Sequence, residues 1–113
     1  MPHFIIECNK DTTKFVDEIL LVQKVYNCAL NSGLFSRDDI KARLKVYDVS
    51  LVAGEDHDFI HVWGCIREGR TDEQKKTLSE DIVSTLKALY PDAYLVSCDI
   101  REFDEASYVK IQL

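Results

Sequence analysis

The chain has 113 residues, of which 46% are hydrophobic and 30% charged, and its formal net charge is −6. A chain of this length can bury its own core, so we expect residues 1–113 to form one domain. The acidic charge argues against nucleic-acid binding, which requires a basic surface. No apolar run reaches the roughly 20 residues that cross a bilayer and no signal peptide is visible, so we expect a cytoplasmic protein without a membrane partner.

The first half of the chain predicts a strand, a helix and a second strand. Residues 2–8 alternate between two faces, as in a strand. The helix that follows has an apolar stripe formed by Phe15, Ile19, Val22, Tyr26 and Ala29. The 4-3-4-3 spacing of these residues is typical of a helix that buries one face. The second strand is predicted from about Ile40 to Val52, with a bulge near Asp48 where the apolar phase slips.

The second half repeats this order. A strand is predicted from Phe59 to Arg67, and Thr71 and Gln74 have the spacing of a capping box at the start of a helix. The buried stripe of that helix is predicted to be Leu78, Ile82, Leu86 and Leu89. Pro91 ends the helix, and a fourth strand follows over about Tyr94 to Glu102.

These elements predict an α/β fold of two layers (α+β), made of two tandem βαβ units over about 2–52 and 58–103. Each parallel pair needs a helical crossover, so a four-stranded mixed sheet with both helices on one face results. Ile60, Val62 and Ile66 are assigned to the other sheet face, which subunit association would then cover. The tail 108–113 alternates, and it is predicted to add a short strand.

Pro2 is the first candidate for chemistry. If Met1 is removed, the Pro2 nitrogen becomes a secondary amine at the start of a buried strand. Burial and nearby cations disfavour its protonated form. An amine tuned in this way can take and return a proton near neutral pH. With Met1 attached, the same nitrogen is an amide without a basic lone pair.

Two basic clusters could bind an anion. Lys41, Arg43 and Lys45 project from one side of the second strand, where they could equally form a solvated face. Arg70 precedes a helix N-terminus, so its guanidinium and free backbone N–H groups could form an anion site. An exposed loop arginine is the simpler interpretation of Arg70.

The cysteines and histidines do not show the spacing of a metal site. The cysteines are Cys8, Cys28, Cys65 and Cys98, and the histidines are His3, His57 and His61. No cysteine pair has C-x-x-C spacing, so we expect free thiols in a reducing compartment and no metal.

Several segments resemble the 5-carboxymethyl-2-hydroxymuconate delta-isomerase family of the tautomerase superfamily in their order and spacing. They are MPHFIIEC at 1–8, SGLF at 32–35, IKARLKVYD at 40–48 and HDF at 57–59. In addition, EGRTDEQKK at 68–76 is similar to the strand-to-helix junction of the 4-oxalocrotonate tautomerase family, whose members are single βαβ units.

The resemblance implies a homotrimeric isomerase with active sites near subunit boundaries and no metal or organic cofactor. It implies that Pro2 is the general base in a 1,3-proton shift of a small anionic unsaturated substrate, a muconate with two or three carboxylates from aromatic-compound catabolism. Arg43 and Arg70 match family positions that hold these carboxylates. Lys41 replaces the first arginine of a family Arg-x-Arg pair, and lysine lacks the planar fork of arginine.

Two alternatives stay open at this point. The βαββαβ order also serves ferredoxin-like modules that bind small ligands, and such a module would function with Met1 in place. A tautomerase fold can also carry a hydratase or dehalogenase, which needs an acidic group near Pro2 to activate water. Glu7 is the candidate for that role because it faces the same side as His3.

Overall fold

A computed structural model describes all 113 residues. The strands are β1 (His3–Asn9), β2 (Lys41–Tyr47), β3 (Phe59–Ile66) and β4 (Leu95–Glu102), and the helices are α1 (Glu18–Asn31) and α2 (Asp72–Leu89). Short 3-10 turns cover Lys10–Lys14 and Arg37–Asp39. Neither helix is long and apolar enough to cross a membrane. The predicted order β-α-β, β-α-β is confirmed.

The four strands form one mixed sheet in the order β2-β1-β3-β4. Within each βαβ unit the strands are parallel, β1 with β2 and β3 with β4, while β1 and β3 are antiparallel at the junction of the units. Side chains of α1 and α2 pack with those of β1 and β3 in one hydrophobic core. The predicted two-layer fold, with both helices on one sheet face, is therefore confirmed.

The predicted buried stripe of α2 is confirmed at three of its four positions, with Leu89 half-buried. That of α1 is confirmed only in part: Ala29 is buried, and Val22 and Tyr26 are half-buried against the core. Leu78, Ile82 and Leu86 of α2 are buried, whereas the core residues of α1 are Leu21, Val25, Cys28 and Ala29. Phe15 and Ile19, which the prediction placed in the stripe, are each 67% exposed. The helix begins only after Asp17, whose side chain accepts a hydrogen bond from Ile19 N at 2.9 Å, so Phe15 lies outside it.

Two predicted strand segments do not form. β2 ends at Tyr47, so the predicted extension to Val52 and the bulge near Asp48 are wrong. The chain turns instead at Ala53 and Gly54, which both have positive φ, and an isolated bridge joins Val52 to Glu55. The tail 108–113 contains no strand either.

The face assignment of β3 also needs correction. Ile60, Val62 and Ile66 are fully buried, because β3 is aligned with β1 so that Ile60 pairs with Cys8 and Val62 with Ile6. The open face, which we define as the sheet face without helices, carries the alternate residues His61, Trp63 and Cys65 of β3. These three residues are half-buried, so the open face is aromatic and polar rather than aliphatic.

A polar cluster fixes the end of β1 that lies farthest from Pro2. Asn9 is buried, and its Oδ1 accepts hydrogen bonds from Thr12 Oγ1 at 2.5 Å and Phe59 N at 3.1 Å. Asn9 Nδ2 donates to Asp58 at 2.8 Å, and the Tyr90 hydroxyl donates to the same carboxylate. Every polar atom of the Asn9 side chain is therefore partnered, as a buried amide requires.

Candidate active site

Pro2 lies buried at the start of β1. Its carbonyl accepts a hydrogen bond from Lys41 N at 3.1 Å, which joins the beginnings of β1 and β2. Met1, directly before it, lines a cavity of about 330 Å³, which we call the N-terminal cavity. The other lining residues are Leu34, Phe35, Ser36, Asp39, Arg67, Arg70 and Lys110.

The N-terminal cavity is basic, although the chain as a whole is acidic. Arg67, Arg70 and Lys110 contribute three positive charges and Asp39 one negative charge, which leaves +2 against a net charge of −6 for the chain. A small anion drawn to the chain must overcome the global charge, and a local cluster of this kind provides the attraction.

Arg70 reaches the cavity from the connection between β3 and α2. Gly69, with φ of 114°, turns the chain. Arg70 Nη2 then donates to the Leu34 carbonyl at 2.6 Å, and its guanidinium lies 5.0 Å from the centre of the Phe35 ring. Two contacts therefore hold this half-buried cation against the cavity wall.

Two of the backbone N–H groups at the N-terminus of α2 are already engaged by side chains. The predicted capping box is present: Thr71 Oγ1 accepts from Gln74 N at 3.1 Å, and Gln74 Oε1 accepts from Thr71 N at 2.9 Å. These two N–H groups are therefore satisfied within the helix. Any anion binding here depends on the Arg70 side chain rather than on these two groups.

The wall that carries Arg70 depends on a glycine in β3. Phe35 meets the buried ring of Phe4 edge-on, with 6.0 Å between the ring centres. A Cβ at Gly64 would lie 3.0 Å from Phe4 Cε1 and 2.5 Å from Ile100 Cδ1. Glycine at position 64 thus makes room for Phe4, which supports Phe35 and, through it, the guanidinium.

Lys41 lies beside the cavity but is not part of its lining. Its Nζ donates to the Asp39 carbonyl at 2.6 Å. Burial, and next the charge of Lys110, lower the pKa of this half-buried lysine. The structure therefore places Lys41 near the chain start, with its ammonium turned to the backbone.

Arg43 is not brought into the N-terminal cavity of its own chain. It is exposed, and its Nη1 lies 3.2 Å from His3 Nδ1. His3 Nε2 in turn lies 2.9 Å from the Tyr108 hydroxyl. Arg43 therefore belongs to a cluster on the open face, and the two arginines singled out from the sequence do not meet within one chain.

The surroundings of the chain start favour an uncharged amine. Burial is the main cause that lowers the pKa of the Met1 α-amino group, and the charges of Lys41, Arg67 and Lys110 act in the same direction. Asp39 opposes them. The pKa of His3 is lowered as well, by burial first and then by neighbouring cations.

Arg70 is the one lining residue of the cavity that was predicted as a site residue, and those that were missed include Phe35, Asp39, Arg67 and Lys110. Arg67 directly follows β3, so its position at a strand end was a usable signal, because connections at strand ends often carry function. The other three lie in loops or in the tail, where no periodic pattern relates them to Pro2.

Glu7 does not lie near Pro2. It is five residues further along β1, which corresponds to about 16 Å at the usual rise of a strand. Its carboxylate accepts hydrogen bonds from the Tyr47 hydroxyl at 2.6 Å and from Trp63 Nε1 at 3.1 Å. The carboxylate that the N-terminal cavity does contain is Asp39.

Two further features bear on ligand type. No group of three histidine, cysteine, aspartate or glutamate side chains is arranged to hold a metal ion. A second cavity, of about 570 Å³, lies between the end of α1 and the start of α2. Its charged residues are Glu73 and Asp81, so it does not suit an anion.

Known proteins resemble the chain over nearly its whole length. The model of the 5-carboxymethyl-2-hydroxymuconate isomerase family matches residues 2–112. The 5-carboxymethyl-2-hydroxymuconate Delta-isomerase of Escherichia coli is 29% identical over 89 residues, which cover 77% of this chain and 71% of that protein.

Solved structures show the same fold. The crystal structure of a 5-carboxymethyl-2-hydroxymuconate isomerase from Deinococcus radiodurans R1 has a TM-score of 0.86 at 24% identity, covering 99% of this chain and 90% of that one. A symmetric trimer described as fused wild-type 4-OT has a TM-score of 0.75 at 19% identity, covering 92% and 87%. The chain therefore belongs to the 5-carboxymethyl-2-hydroxymuconate isomerase family, and it is an isomerase with a tautomerase fold.

Proposed function

We propose that the chain catalyses a 1,3-proton shift, the ketonisation of a 2-hydroxymuconate-type carboxylated dienol, with the Pro2 nitrogen as general base. The observation that carries this proposal is the placement of buried Pro2 beside a cavity lined by three cations. The function requires removal of Met1, which turns the Pro2 amide into a secondary amine.

The geometry supports a neutral amine at this position. The Pro2 ring is fully buried. The Met1 amine, one residue before it, has its pKa lowered by burial and by the charges of Lys41, Arg67 and Lys110. Burial and positive neighbours both disfavour the protonated amine. A base must be unprotonated to act, so a lowered pKa keeps more of it competent at neutral pH.

In the reaction the amine takes the hydroxyl proton of the dienol. The O–H electron pair becomes the second bond of a carbonyl group, and the adjacent C=C pair then takes a proton back from the proline to form a C–H bond. Atoms and electrons balance without an oxidant or reductant. Arg70 is positioned to bind a substrate carboxylate while the charge moves, because its guanidinium is fixed on the cavity wall.

We further propose that the chain assembles as a homotrimer in which the open faces meet. His61 Nε2 on this face is buried and has no hydrogen-bond partner within the chain, which is costly unless a neighbour supplies one. Arg43 also lies on this face, so it reaches an active site only across a subunit boundary. Native mass spectrometry should show three chains of 13.0 kDa each; a monomer at working concentration contradicts this assembly.

A second candidate reaction, water addition to a small unsaturated acid, is favoured by one observation. Asp39 contributes a carboxylate to the cavity that contains Met1, and a carboxylate can activate water as a general base. Incorporation of oxygen from labelled water into the product would identify this reaction, whereas ketonisation leaves the oxygen count unchanged.

The test is an ultraviolet assay of several 2-hydroxymuconates with protein that mass spectrometry shows to lack Met1. Pro2→Ala should lower turnover by about two to four decades, the usual scale for loss of an acid–base group, while the fold survives. Pro91→Ala, at the exposed end of α2, is the matched control and should keep full activity. Full activity in Pro2→Ala refutes the proposed role, and no turnover of any dienol by Met1-free protein favours a binding module.

A further inference from the structure

We propose that the C-terminal segment 103–113 is part of the substrate site and that its Lys110 determines specificity for a substrate with a third carboxylate. The inference rests on the proposed function, because it assigns a binding role within the same N-terminal cavity. Its physical basis is a lysine at the cavity whose side chain is partly buried and whose ammonium group makes no hydrogen bond within the chain.

The segment contains no strand, but three contacts tie it to the cavity region. Phe103 N donates to the Ile66 carbonyl at 2.9 Å, where β3 ends. Glu105 forms an ion pair with Arg67 at 2.7 Å. The Tyr108 hydroxyl lies 2.9 Å from His3 Nε2. The segment therefore crosses the start of β1 in a defined position.

Lys110 is held at the cavity, but its hydrogen-bonding capacity is poorly satisfied there. Its side chain is only 25% exposed, and its Nζ lies 3.6 Å from Asp39 Oδ1. Charge-assisted hydrogen bonds between such groups are usually about 2.7–2.9 Å long, so this pair is loose. A lysine ammonium has three donors, and Lys110 makes no hydrogen bond within the chain.

The other cations of the cavity are already engaged. Arg70 donates to the Leu34 carbonyl, and Arg67 pairs with Glu105. Lys110 is thus the one basic side chain of the cavity that makes no hydrogen bond or close ion pair within the chain, so its ammonium can bind an incoming carboxylate without giving up an existing contact. Without Lys110, the net side-chain charge of the cavity falls from +2 to +1. A substrate with three negative charges would then meet one cation fewer.

Tyr108 is a positioning residue for Lys110. Tyr108 lies two residues before Lys110. Its ring stacks on Phe103 with 4.6 Å between ring centres, and its hydroxyl contacts His3. Removing only the hydroxyl should loosen the segment and weaken the Lys110 effect without altering the charge of the cavity.

The experiment compares two ligands and does not depend on turnover. Saturated analogues with two or three carboxylates are titrated into Met1-free protein by calorimetry. Lys110→Gln should weaken binding of the tricarboxylate by about 5- to 30-fold, the equivalent of one to two kcal/mol, and that of the dicarboxylate by much less. Lys110→Arg should restore most of the difference, and Tyr108→Phe should give a smaller loss of the same kind.

Lys76→Gln, on the exposed surface of α2, is the matched control and should bind both analogues as the unaltered chain does. Thermal unfolding of each variant separates a folding defect from a binding defect. Equal loss for both analogues, or no loss for either in a folded Lys110→Gln protein, overturns the inference about Lys110. The proposed function fails by a different result, full activity of Pro2→Ala.

Discussion

Replacing Arg70 by alanine tests whether its guanidinium binds a carboxylate of the substrate. The side chain is half-buried and is held by the Leu34 carbonyl at 2.6 Å and the Phe35 ring at 5.0 Å. Because these contacts already fix the guanidinium, ligand binding costs little further side-chain entropy. A hydrogen bond to a charged group contributes about 1.5–3 kcal/mol. At 1.36 kcal/mol per tenfold change, that corresponds to a rise in KM of about 10- to 150-fold.

We expect kcat to change little in this variant, because a contact made equally in the ground state and the transition state affects KM alone. Initial rates over a range of dienol concentrations, followed by ultraviolet absorbance, separate the two constants. Arg70→Lys should give a smaller rise in KM, since lysine keeps the charge but loses the fork.

Lys24→Ala, an exposed cation on α1, should leave both constants unchanged. If Arg70→Ala lowers kcat and leaves KM as it was, the guanidinium acts on the dienolate oxygen instead of a carboxylate. If neither constant changes in the folded variant, Arg70 has no part in the site.

Three further predictions concern stability. Gly64→Ala places a Cβ 3.0 Å from the Phe4 ring, so it should lower the free energy of unfolding in urea by about 1–3 kcal/mol through overpacking. Asn9→Ala leaves the buried partners of its amide unpaired and should cost about 1–3 kcal/mol, whereas exposed Asn27→Ala should cost little. Burial raises the pKa of the Cys98 thiol from 9.0 to about 11. The unfolded chain therefore loses this proton first, and the free energy of unfolding should fall as pH rises through that window. The fall should be shallower in Cys98→Ala; equal slopes would contradict the thiol assignment.

The regular elements could be predicted where only one arrangement fits the pattern. In α2 the residues between the buried leucines and isoleucine are mostly charged or polar, so a single apolar stripe exists and it was identified correctly. In α1 apolar residues occupy more than one face. A count that begins at Phe15 includes two exposed residues and misses Leu21 and Val25, which are buried. The strand pattern of β3 was read correctly as apolar, but alternation alone did not say which face the helices cover.

The candidate site was only partly predictable. Pro2 and Arg70 could be singled out from the sequence because Pro2 lies at the start of β1 and Arg70 at the start of α2. Chain ends and unpaired backbone groups at such positions are available to bind a ligand or to react. Lys110 and Asp39 could not be found in this way, since their proximity to Pro2 arises from tertiary contacts over long sequence separations. Arg43 was noticed for its charge, but its register in β2 directs it to the open face.

The most direct test of the account relates activity to the chemical state of the chain start. Preparations with different proportions of retained Met1 are made from the same gene, the proportion is measured by intact mass spectrometry, and dienol ketonisation is assayed in each. The account predicts that activity is proportional to the fraction of chains that begin at Pro2 and vanishes when Met1 is fully retained. Activity that does not depend on this fraction would contradict it.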